Sequence, residues 1–369
     1  MGVSNIMGKI HGVNLGNWLV LEKWMNPALF AGVDAEDETD LCMRLPRDEL
    51  EARLKQHRDT YITLSDFRWI KAHGLNTVRI PVPHFIFGDD PAFCDPYLPC
   101  IEYLDKAFDW ADEVGLKILI DLHTAPDSQN GFDNGGICGV CKFWQKPENE
   151  ARVIKVLGML AERYAKRDSL FGVQILNEPI SPEVWENTKN KYPPADPARA
   201  EGSGPVPIQF LYSFYTKAYH EIRKYLDEDK VVMFHDGFRM KMWKEFMQTE
   251  QFKNVWLDTH IYMMMPERLE TVEMADLVLK EYRRDIREMA QHFPVVVGEW
   301  CISHNPKGME EMTPWQKKLS YRLMADAQLT AWDESAGFFF WSYKLLNDRP
   351  GWDYRKCVEA GWMPELLEN

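Results

Sequence analysis

The chain has 369 residues, with 43 Lys and Arg against 57 Asp and Glu, which gives a net charge of −14 when the histidines are neutral. Its 45% hydrophobic and 27% charged residues are ordinary for a globular chain and exclude wholesale disorder. The acidic balance argues against nucleic acid as a partner, because phosphates would repel the chain as a whole.

Targeting signals and cysteines bear on the compartment. No stretch reaches the roughly 18 consecutive apolar residues of a membrane helix, and the first residues lack the basic and apolar regions of a secretory signal. The seven cysteines are an odd number at irregular spacing, which is typical of a reducing compartment. We therefore expect a cytoplasmic protein with no membrane partner, and the oligomeric state stays open.

Eight short apolar or β-branched runs alternate with longer amphipathic stretches along the chain. Several runs are nearly continuous in apolar residues, as in parallel strands covered on both faces. The predicted strands span 9–16, 76–82, 116–123, 170–179, 230–237, 255–262, 293–300 and 337–344. The predicted helices span 65–74, 101–115, 148–166, 208–226, 268–291 and 313–334, with a weaker candidate at 240–250.

This alternation predicts an α/β fold, a single (β/α)8 TIM barrel that forms one domain over 1–369 with its core at about 9–345. A doubly wound sheet competes, but no G-x-G-x-x-G follows the first strand. Two stretches, 24–60 and 180–207, exceed ordinary loop length and follow strands 1 and 4. We expect both on the carboxyl-terminal face of the barrel, with 24–60 partly helical.

The first predicted barrel helix carries a helix-start and a helix-stop signal. Ser65 is a plausible N-cap and Gly74 a plausible C-cap, and Gly115 ends the next predicted helix in the same way.

Polar or aromatic side chains end several predicted strands, and carboxyl ends of parallel strands share one rim of a barrel. Glycoside hydrolysis requires two carboxyl groups at such a site, one to protonate the leaving oxygen and one to attack the sugar or activate water. Glu178 and Glu299 directly follow apolar runs and are predicted as this pair, with solvated loop acids as the alternative. Asn177, beside Glu178, is expected to bond a sugar 2-hydroxyl or to serve as a turn amide.

Four other rim residues are expected to surround the carboxylates. Arg79 and Tyr262 are predicted donors to Glu299, and a nearby arginine keeps a carboxylate ionised. Arg79 could instead belong to an ion pair of the barrel. His123 and His260 could orient these groups, bind sugar hydroxyls or lie in the core as hydrogen-bonded histidines.

Several motifs together resemble glycoside hydrolase family 5, and within it the exo-β-1,3-glucanases. LNEP alone is a weak to moderate signal, whereas GNWLVLEKW combined with SQNGFDN is much more specific. The matching segments are GVNLGNWLVLEKWMNPALF (12–30), GLNTVRIPV (74–82), DLHTAPDSQNGFDNGG (121–136), ILNEP (175–179), DTHIY (258–262), VGEW (297–300) and FWSYK (340–344).

The resemblance implies a role for each matched position. It implies that Glu178 is the acid/base, that Glu299 is the nucleophile and that Trp341 floors the first sugar subsite. Glu22 would bind hydroxyls of the terminal glucose, and Phe132 would form half of an aromatic clamp at the pocket entrance. The surrounding polar shell would consist of Arg79, His123, Asn177, His260 and Tyr262.

The chain also departs from the family pattern on the leaving-group side. Met265 stands where the other aromatic of the clamp is expected, the segment after Glu299 is short, and 180–207 is long. Cleavage of a terminal β-glucoside is therefore better supported than the 1,3 linkage.

We expect a retaining β-glycosidase that removes terminal β-glucosyl residues from β-glucan oligosaccharides, with β-1,3 linkages favoured, or from β-glucosides. The alternatives are an endo-β-glucanase, a glycosidase acting on small aglycones, and an inactive carbohydrate-binding barrel. No metal or cofactor is expected. The pair Cys138 and Cys141 lacks a second ligand pair at zinc-site spacing and is interpreted as free loop cysteines.

Overall fold

The protein, described by a computed structural model over residues 8–263 and 269–364, is built around eight parallel strands that close into a barrel in chain order. The first strand pairs in parallel with both the second and the eighth, which closes the sheet. The predicted (β/α)8 barrel and its eight predicted strands are confirmed. The strands are β1 (Ile10–Asn14), β2 (Thr77–Val82), β3 (Lys117–Leu122), β4 (Leu170–Gln174), β5 (Val231–His235), β6 (Val255–His260), β7 (Val295–Trp300) and β8 (Gly337–Phe340).

Helices connect the strands and cover the outside of the barrel. They are α1 (Glu38–Arg44), α2 (Arg47–Tyr61), α3 (Leu64–Ala72), α4 (Pro91–Cys94), α5 (Ile101–Val114), α6 (Pro147–Tyr164), α7 (Pro182–Thr188), α8 (Pro197–Ala200), α9 (Ile208–Ile222), α10 (Thr271–Leu277), α11 (Arg283–Met289), α12 (Pro314–Trp332) and α13 (Tyr354–Glu359). Within the described ranges, none of these helices combines the length and apolar character required to cross a bilayer.

Two predicted helices differ from the structure. A π-helical stretch, Val278–Tyr282, joins α10 to α11, so that the single helix predicted over 268–291 has three parts. The stretch 240–250 forms only a 3-10 turn, Met240–Trp243. Its one buried residue, Trp243, bonds the Asp236 carbonyl through Nε1 at 2.7 Å, which fixes the turn against the strand end instead of extending a helix.

The two long stretches lie on the rim formed by the carboxyl ends of the strands, as predicted. The stretch 24–60 contains a 3-10 turn and helices α1 and α2, which pack around a small apolar cluster that includes Leu21, Leu41 and Leu50. The stretch 180–207 contains the short helices α7 and α8.

The barrel interior changes from apolar to polar along its axis. An apolar cluster includes Ile10, Phe171, Val231 and Val296, each the first or second residue of its strand. Polar side chains toward the other end are fully buried, and they are Asn14, Arg79, Asp121, Gln174 and Asp258. Since buried polar groups require hydrogen-bond partners, the side chains of this polar layer are expected to bond one another and the polar residues at the rim.

The start of α3 differs from its prediction by two residues, because Thr63 rather than Ser65 is the N-cap. The Asp66 carboxylate accepts hydrogen bonds from the Thr63 backbone N–H at 2.8 Å and from its hydroxyl at 2.9 Å. A capping box requires an acceptor three residues after the cap. Asp66 supplies it for Thr63, whereas Arg68 stands at that position for Ser65.

The helix ends agree more closely with the sequence. Gly115 is the C-cap of α5, with a φ of 75°, as predicted. His73 is the C-cap of α3, and Gly74 follows it with a φ of 77°.

Thr63→Ala is expected to lower the free energy of unfolding by about 1 kcal/mol, because the helix loses its cap. Ser65→Ala, at an exposed position, is the matched control and should change it by less than about 0.5 kcal/mol. Denaturant unfolding of both variants compares them directly. A larger loss for Ser65→Ala would contradict the assignment of the cap.

Candidate active site

The guanidinium of Arg79, on β2, lies fully buried at the centre of the polar layer. Its Nε donates to Gln174 Oε1, its Nη1 to Asn14 Oδ1 and its Nη2 to Asn177 Oδ1, each at 2.8 Å. The Asp121 carboxylate lies 3.0 Å from Nη2. A buried guanidinium with several acceptors is held rigidly, so Arg79 can position groups at the rim.

Glu299 ends the apolar run of β7 and is 3% exposed. Arg79 Nη1 donates to its Oε1 at 2.9 Å, and the Tyr262 hydroxyl donates to its Oε2 at 2.7 Å. His260 Nδ1 lies 3.5 Å from the same Oε2. The carboxylate is therefore held by a cation and a hydroxyl donor in a fixed orientation.

A register shift between β6 and β7 aims Glu299 into the site. Thr259 pairs with Val297 but His260 pairs with Glu299, so Gly298 is left as the extra residue of a bulge. A Cβ at Gly298 would lie 2.0 Å from Asp258 Oδ1, which leaves room for glycine only.

Glu178 follows β4 with a backbone φ of 44°, a left-handed conformation that is costly for a non-glycine residue and is typical of functional sites. Its Oε1 accepts from His260 Nδ1 at 2.7 Å and its Oε2 accepts from Asn134 Nδ2 at 3.1 Å. Glu178 and Glu299 thus both reach one nitrogen, at 2.7 and 3.5 Å. Their nearest oxygens must therefore be closer than the roughly 6.5 Å at which inverting pairs begin.

Opposing charges set the protonation of this cluster. Burial alone would lower the pKa of His260, but Glu299 and Asp258 outweigh burial and raise that pKa well above its usual value. Burial would raise the pKa of Glu178, but the hydrogen bond and charge of His260 hold it below its usual value. Burial raises the pKa of Glu299, against the lowering effects of His260 and Arg79. The two carboxyl groups therefore titrate as a pair around an imidazolium.

The remaining predicted polar residues adjoin this cluster. Asn177 Nδ2 lies 3.3 Å from His123 Nε2, while Asn177 Oδ1 binds Arg79. The His123 ring is parallel to the Trp341 ring, with centroids 5.7 Å apart. A Cβ at Gly16 would come within 2.8 Å of the Trp341 ring, so the indole is packed directly against the β1 loop.

Glu22, in the loop after β1, is 4% exposed and accepts a hydrogen bond from Trp24 Nε1 at 2.8 Å. Burial raises the pKa of Glu22 well above its usual range, and the charges of Asp133, Glu299 and Glu178 raise it further. Burial also raises the pKa of Asp133 to about 6. Glu22 therefore lies in the same pocket as the two predicted catalytic carboxyl groups.

Phe132 is half-buried in the loop after β3, and its ring centroid lies 4.9 Å from that of Tyr192. Tyr192 belongs to the long stretch 180–207. Met265, expected at the position of the second clamp aromatic, lies outside the described residues.

One group of side chains within the described ranges has the spacing of metal ligands, namely Glu178, His235 and His260. The Gly237 backbone N–H donates to His235 Nδ1 at 2.9 Å, so Nδ1 carries the lone pair and Nε2 the proton. A ligating nitrogen must be deprotonated, whereas Nε2 in this tautomer carries the proton and is buried without a hydrogen-bond partner. The protonation of His235 therefore argues against this group as a metal site. Cys138 and Cys141 are buried free thiols.

A cavity of about 900 Å³ lies apart from these carboxylates, between α2 and the segment after β8. Lys344 in its lining pairs with Asp66 at 3.0 Å, and Lys356 donates to the Asn347 carbonyl at 3.0 Å. These two lysines therefore already have partners within the protein, and the cavity contains neither Glu178 nor Glu299.

The structure brings the sequence-predicted polar residues together on the rim, with Trp341 beside His123 and Phe132 two residues before Asn134, which donates to Glu178. Sequence reasoning missed the groups that hold them, which are Asn14, Asp121, Asp133, Asn134, Gln174, His235 and Asp258. Asp133 and Asn134 lie within the motif NGFDNGG and directly follow Phe132. Alternation along the strands could have indicated the inward-facing members, because Asp121 and Asp258 each precede a predicted site histidine by two residues.

Comparison with known proteins identifies the family of this chain. The family model described as cellulase (glycosyl hydrolase family 5) matches residues 51–344. A glucan 1,3-beta-glucosidase from Kluyveromyces lactis is 32% identical over 98% of this chain and 90% of its own length. A probable glucan 1,3-beta-glucosidase A from Aspergillus fumigatus is 33% identical over 98% and 89%.

Solved structures share the fold at lower identity. A rutinosidase from Aspergillus niger superposes with a TM-score of 0.79 at 20% identity, over 96% of this chain and 98% of that chain. An endoglucanase from Pseudomonas stutzeri gives 0.56 at 16% identity, over 97% and 92%. From the family model and the relatives above 30% identity together, this chain belongs to glycosyl hydrolase family 5.

Proposed function

We propose that this protein is a retaining exo-β-glucosidase that releases single glucosyl units from the non-reducing ends of β-1,3-glucan oligosaccharides. The observation that carries this proposal is the approach of Glu178 and Glu299 to the same nitrogen of His260, at 2.7 and 3.5 Å. Because this approach keeps the two carboxyl groups closer than the roughly 6.5 Å at which inverting pairs begin, it supports a carboxylate nucleophile over an activated water.

The contacts of each carboxylate favour one division of roles. Glu299, held by Arg79 and Tyr262, attacks the anomeric carbon, and the bond to the leaving oxygen breaks. Glu178 gives its proton to that oxygen and then takes a proton from the water that hydrolyses the glycosyl-enzyme. Asn177, fixed by Arg79, is positioned to bond the sugar 2-hydroxyl.

Glu22 supports action at chain ends. A buried carboxyl group across the non-reducing end obstructs a continuing glucan chain, whereas the free hydroxyls of a terminal glucose can satisfy it. The relatives named as glucan 1,3-beta-glucosidases support the linkage. An endo-β-glucanase, as in the fold neighbour from Pseudomonas stutzeri, would require that end to be open.

Replacing each carboxylate should separate the two roles. Glu299→Gln should lose several orders of magnitude in kcat on every substrate, because no glycosyl-enzyme can form. Glu178→Ala should lose far more on laminaribiose than on an activated aryl β-glucoside, and azide should restore turnover with β-glucosyl azide as the product. Equal losses on both substrates without azide rescue, or an α-azide product, would contradict the assignment.

Replacing His260 should move the pH dependence of kcat/KM. The imidazolium lowers the pKa of both Glu178 and Glu299, so His260→Asn should raise both. The limb set by ionisation of Glu299 and the limb set by proton loss from Glu178 should then both shift to higher pH. His220→Asn, at an exposed histidine, is the control and should leave the profile unchanged. An unchanged profile for His260→Asn would show that His260 is neutral in the active enzyme, and a shift to lower pH would contradict the predicted direction.

Glu22→Gln should raise KM and lower kcat on laminari-oligosaccharides, because a group that positions the reacting sugar is altered. Chromatography of wild-type products should show glucose alone at the earliest times. Mixed oligosaccharides at those times, or a rapid fall in β-glucan viscosity, would favour the endo-acting alternative.

A further inference from the structure

The stretch 180–207 after β4 is fixed to the loop that follows β3. Gly204 N–H donates to the Cys141 carbonyl at 3.1 Å, and Cys141 N–H donates to Ser203 Oγ at 3.0 Å. Pro194 covers Gly139 so closely that a Cβ there would lie 2.6 Å from it. At the start of the stretch, Ile180 N–H donates to the Gln129 carbonyl at 3.1 Å. Both ends of the stretch are therefore bonded to the loop after β3, and Tyr192 lies between these bonds.

Tyr192 is the residue that this stretch adds at the pocket entrance. Its ring packs against Phe132 with centroids 4.9 Å apart and planes tilted by 37°. Both rings are half-buried, so each keeps part of its surface open. Trp185 of α7, also half-buried, lies 3.1 Å from the position of a Cβ at Gly131, the residue before Phe132. Phe132 and Tyr192 together form an aromatic surface at this entrance.

This surface lies on the leaving-group side of the site. Asn134, two residues after Phe132, donates to Glu178 Oε2 at 3.1 Å. Glu178 is the carboxyl group that protonates the leaving oxygen in the proposed mechanism, so the leaving group must lie within reach of it. Burial raises the pKa of Tyr192, and Asp133 and Glu178 raise it further. The phenol is therefore neutral, within electrostatic range of these carboxyl groups.

We propose that Tyr192, packed against the Phe132 that the resemblance places at the pocket entrance, contacts the leaving group and selects leaving groups with a flat apolar face. A phenolic aglycone offers such a face, and so does the C–H face of a second β-linked glucose. Aromatic rings stack on both through dispersion and burial of apolar area. This proposal rests on the proposed function, since it assigns the other side of the same cleavage site.

The test compares Tyr192→Ala with the wild type on three substrates: phenyl β-glucoside, laminaribiose and methyl β-glucoside. On each substrate the variant is compared with the wild type, so the different leaving abilities of the three leaving groups cancel from the ratio. We expect kcat/KM to fall about tenfold on the two ring-bearing substrates, in line with the loss of one stacking contact, and to stay within about twofold on the methyl glucoside. Tyr192→Phe, which keeps the ring, should remain close to the wild type on all three.

The same comparison also shows which kind of leaving group the aromatic surface binds, an aromatic aglycone or a second sugar. A loss confined to the phenyl substrate would assign the surface to aromatic aglycones, and a loss confined to laminaribiose would assign it to a second sugar. Equal losses on all three substrates would overturn the proposal in favour of a packing role for Tyr192. No loss on any would overturn it outright. Tyr225→Ala, at an exposed tyrosine after α9, controls for loss of a tyrosine elsewhere.

A binding measurement keeps this test independent of the proposed function. Calorimetric titration with the uncleaved analogues phenyl 1-thio-β-glucoside and methyl 1-thio-β-glucoside should show tighter binding of the phenyl compound to the wild type, and Tyr192→Ala should abolish that preference. Absence of a preference in the wild type would overturn the proposed surface even if hydrolysis occurs. A preference without hydrolysis of any glucoside would instead overturn the proposed function and leave the aromatic surface established.

Discussion

The burial of one guanidinium governs the architecture of this site. Moving an arginine into a barrel interior costs several kcal/mol unless each donor finds an acceptor, and the side chain of Arg79 is fully buried. Its acceptors come from β1, β3, β4 and β7 or the residues that follow them, through Asn14, Asp121, Asn177 and Glu299. The requirement to satisfy one cation therefore joins four parts of the barrel at the point where the sugar must react.

The excess of negative charge around that cation couples the protonation of Glu178, Glu299 and His260. Glu299 and Asp258 keep His260 charged, and Glu178 and Glu299 repel each other across it. In the proposed mechanism Glu299 becomes an ester in the glycosyl-enzyme, so its charge disappears and the repulsion on Glu178 disappears with it. The pKa of Glu178 then falls, which suits the removal of a proton from water.

Residues on or directly after strands could be predicted from the sequence, because burial of a strand leaves a local pattern of apolar residues. Many of the side chains that contact them come from distant parts of the chain and could not be predicted. Glu178 and Glu299 stand directly after apolar runs, so their place on the rim followed from the alternation of strands and helices. Tyr192 lies in a loop far from Phe132 in sequence, and no periodicity relates the two. The bulge at Gly298 depends on crowding by Asp258, a neighbour contributed by another strand. The cap of α3 was misplaced for a different reason, since two hydroxyl residues compete locally and only Asp66 decides between them.

The division between barrel and loops has an energetic consequence. Groups that carry the chemistry are bonded to the barrel interior, where a change leaves a buried charge unpaired and costs several kcal/mol. The groups proposed to face the ends of the substrate, Glu22 and Tyr192, belong to the loops after β1 and β4. The loop of Tyr192 is fixed largely by backbone bonds to the loop after β3. Those backbone bonds do not depend on which side chain Tyr192 carries. A change there can alter the leaving group that fits while Arg79 and its acceptors stay in place, so specificity can vary in this fold without loss of the catalytic geometry.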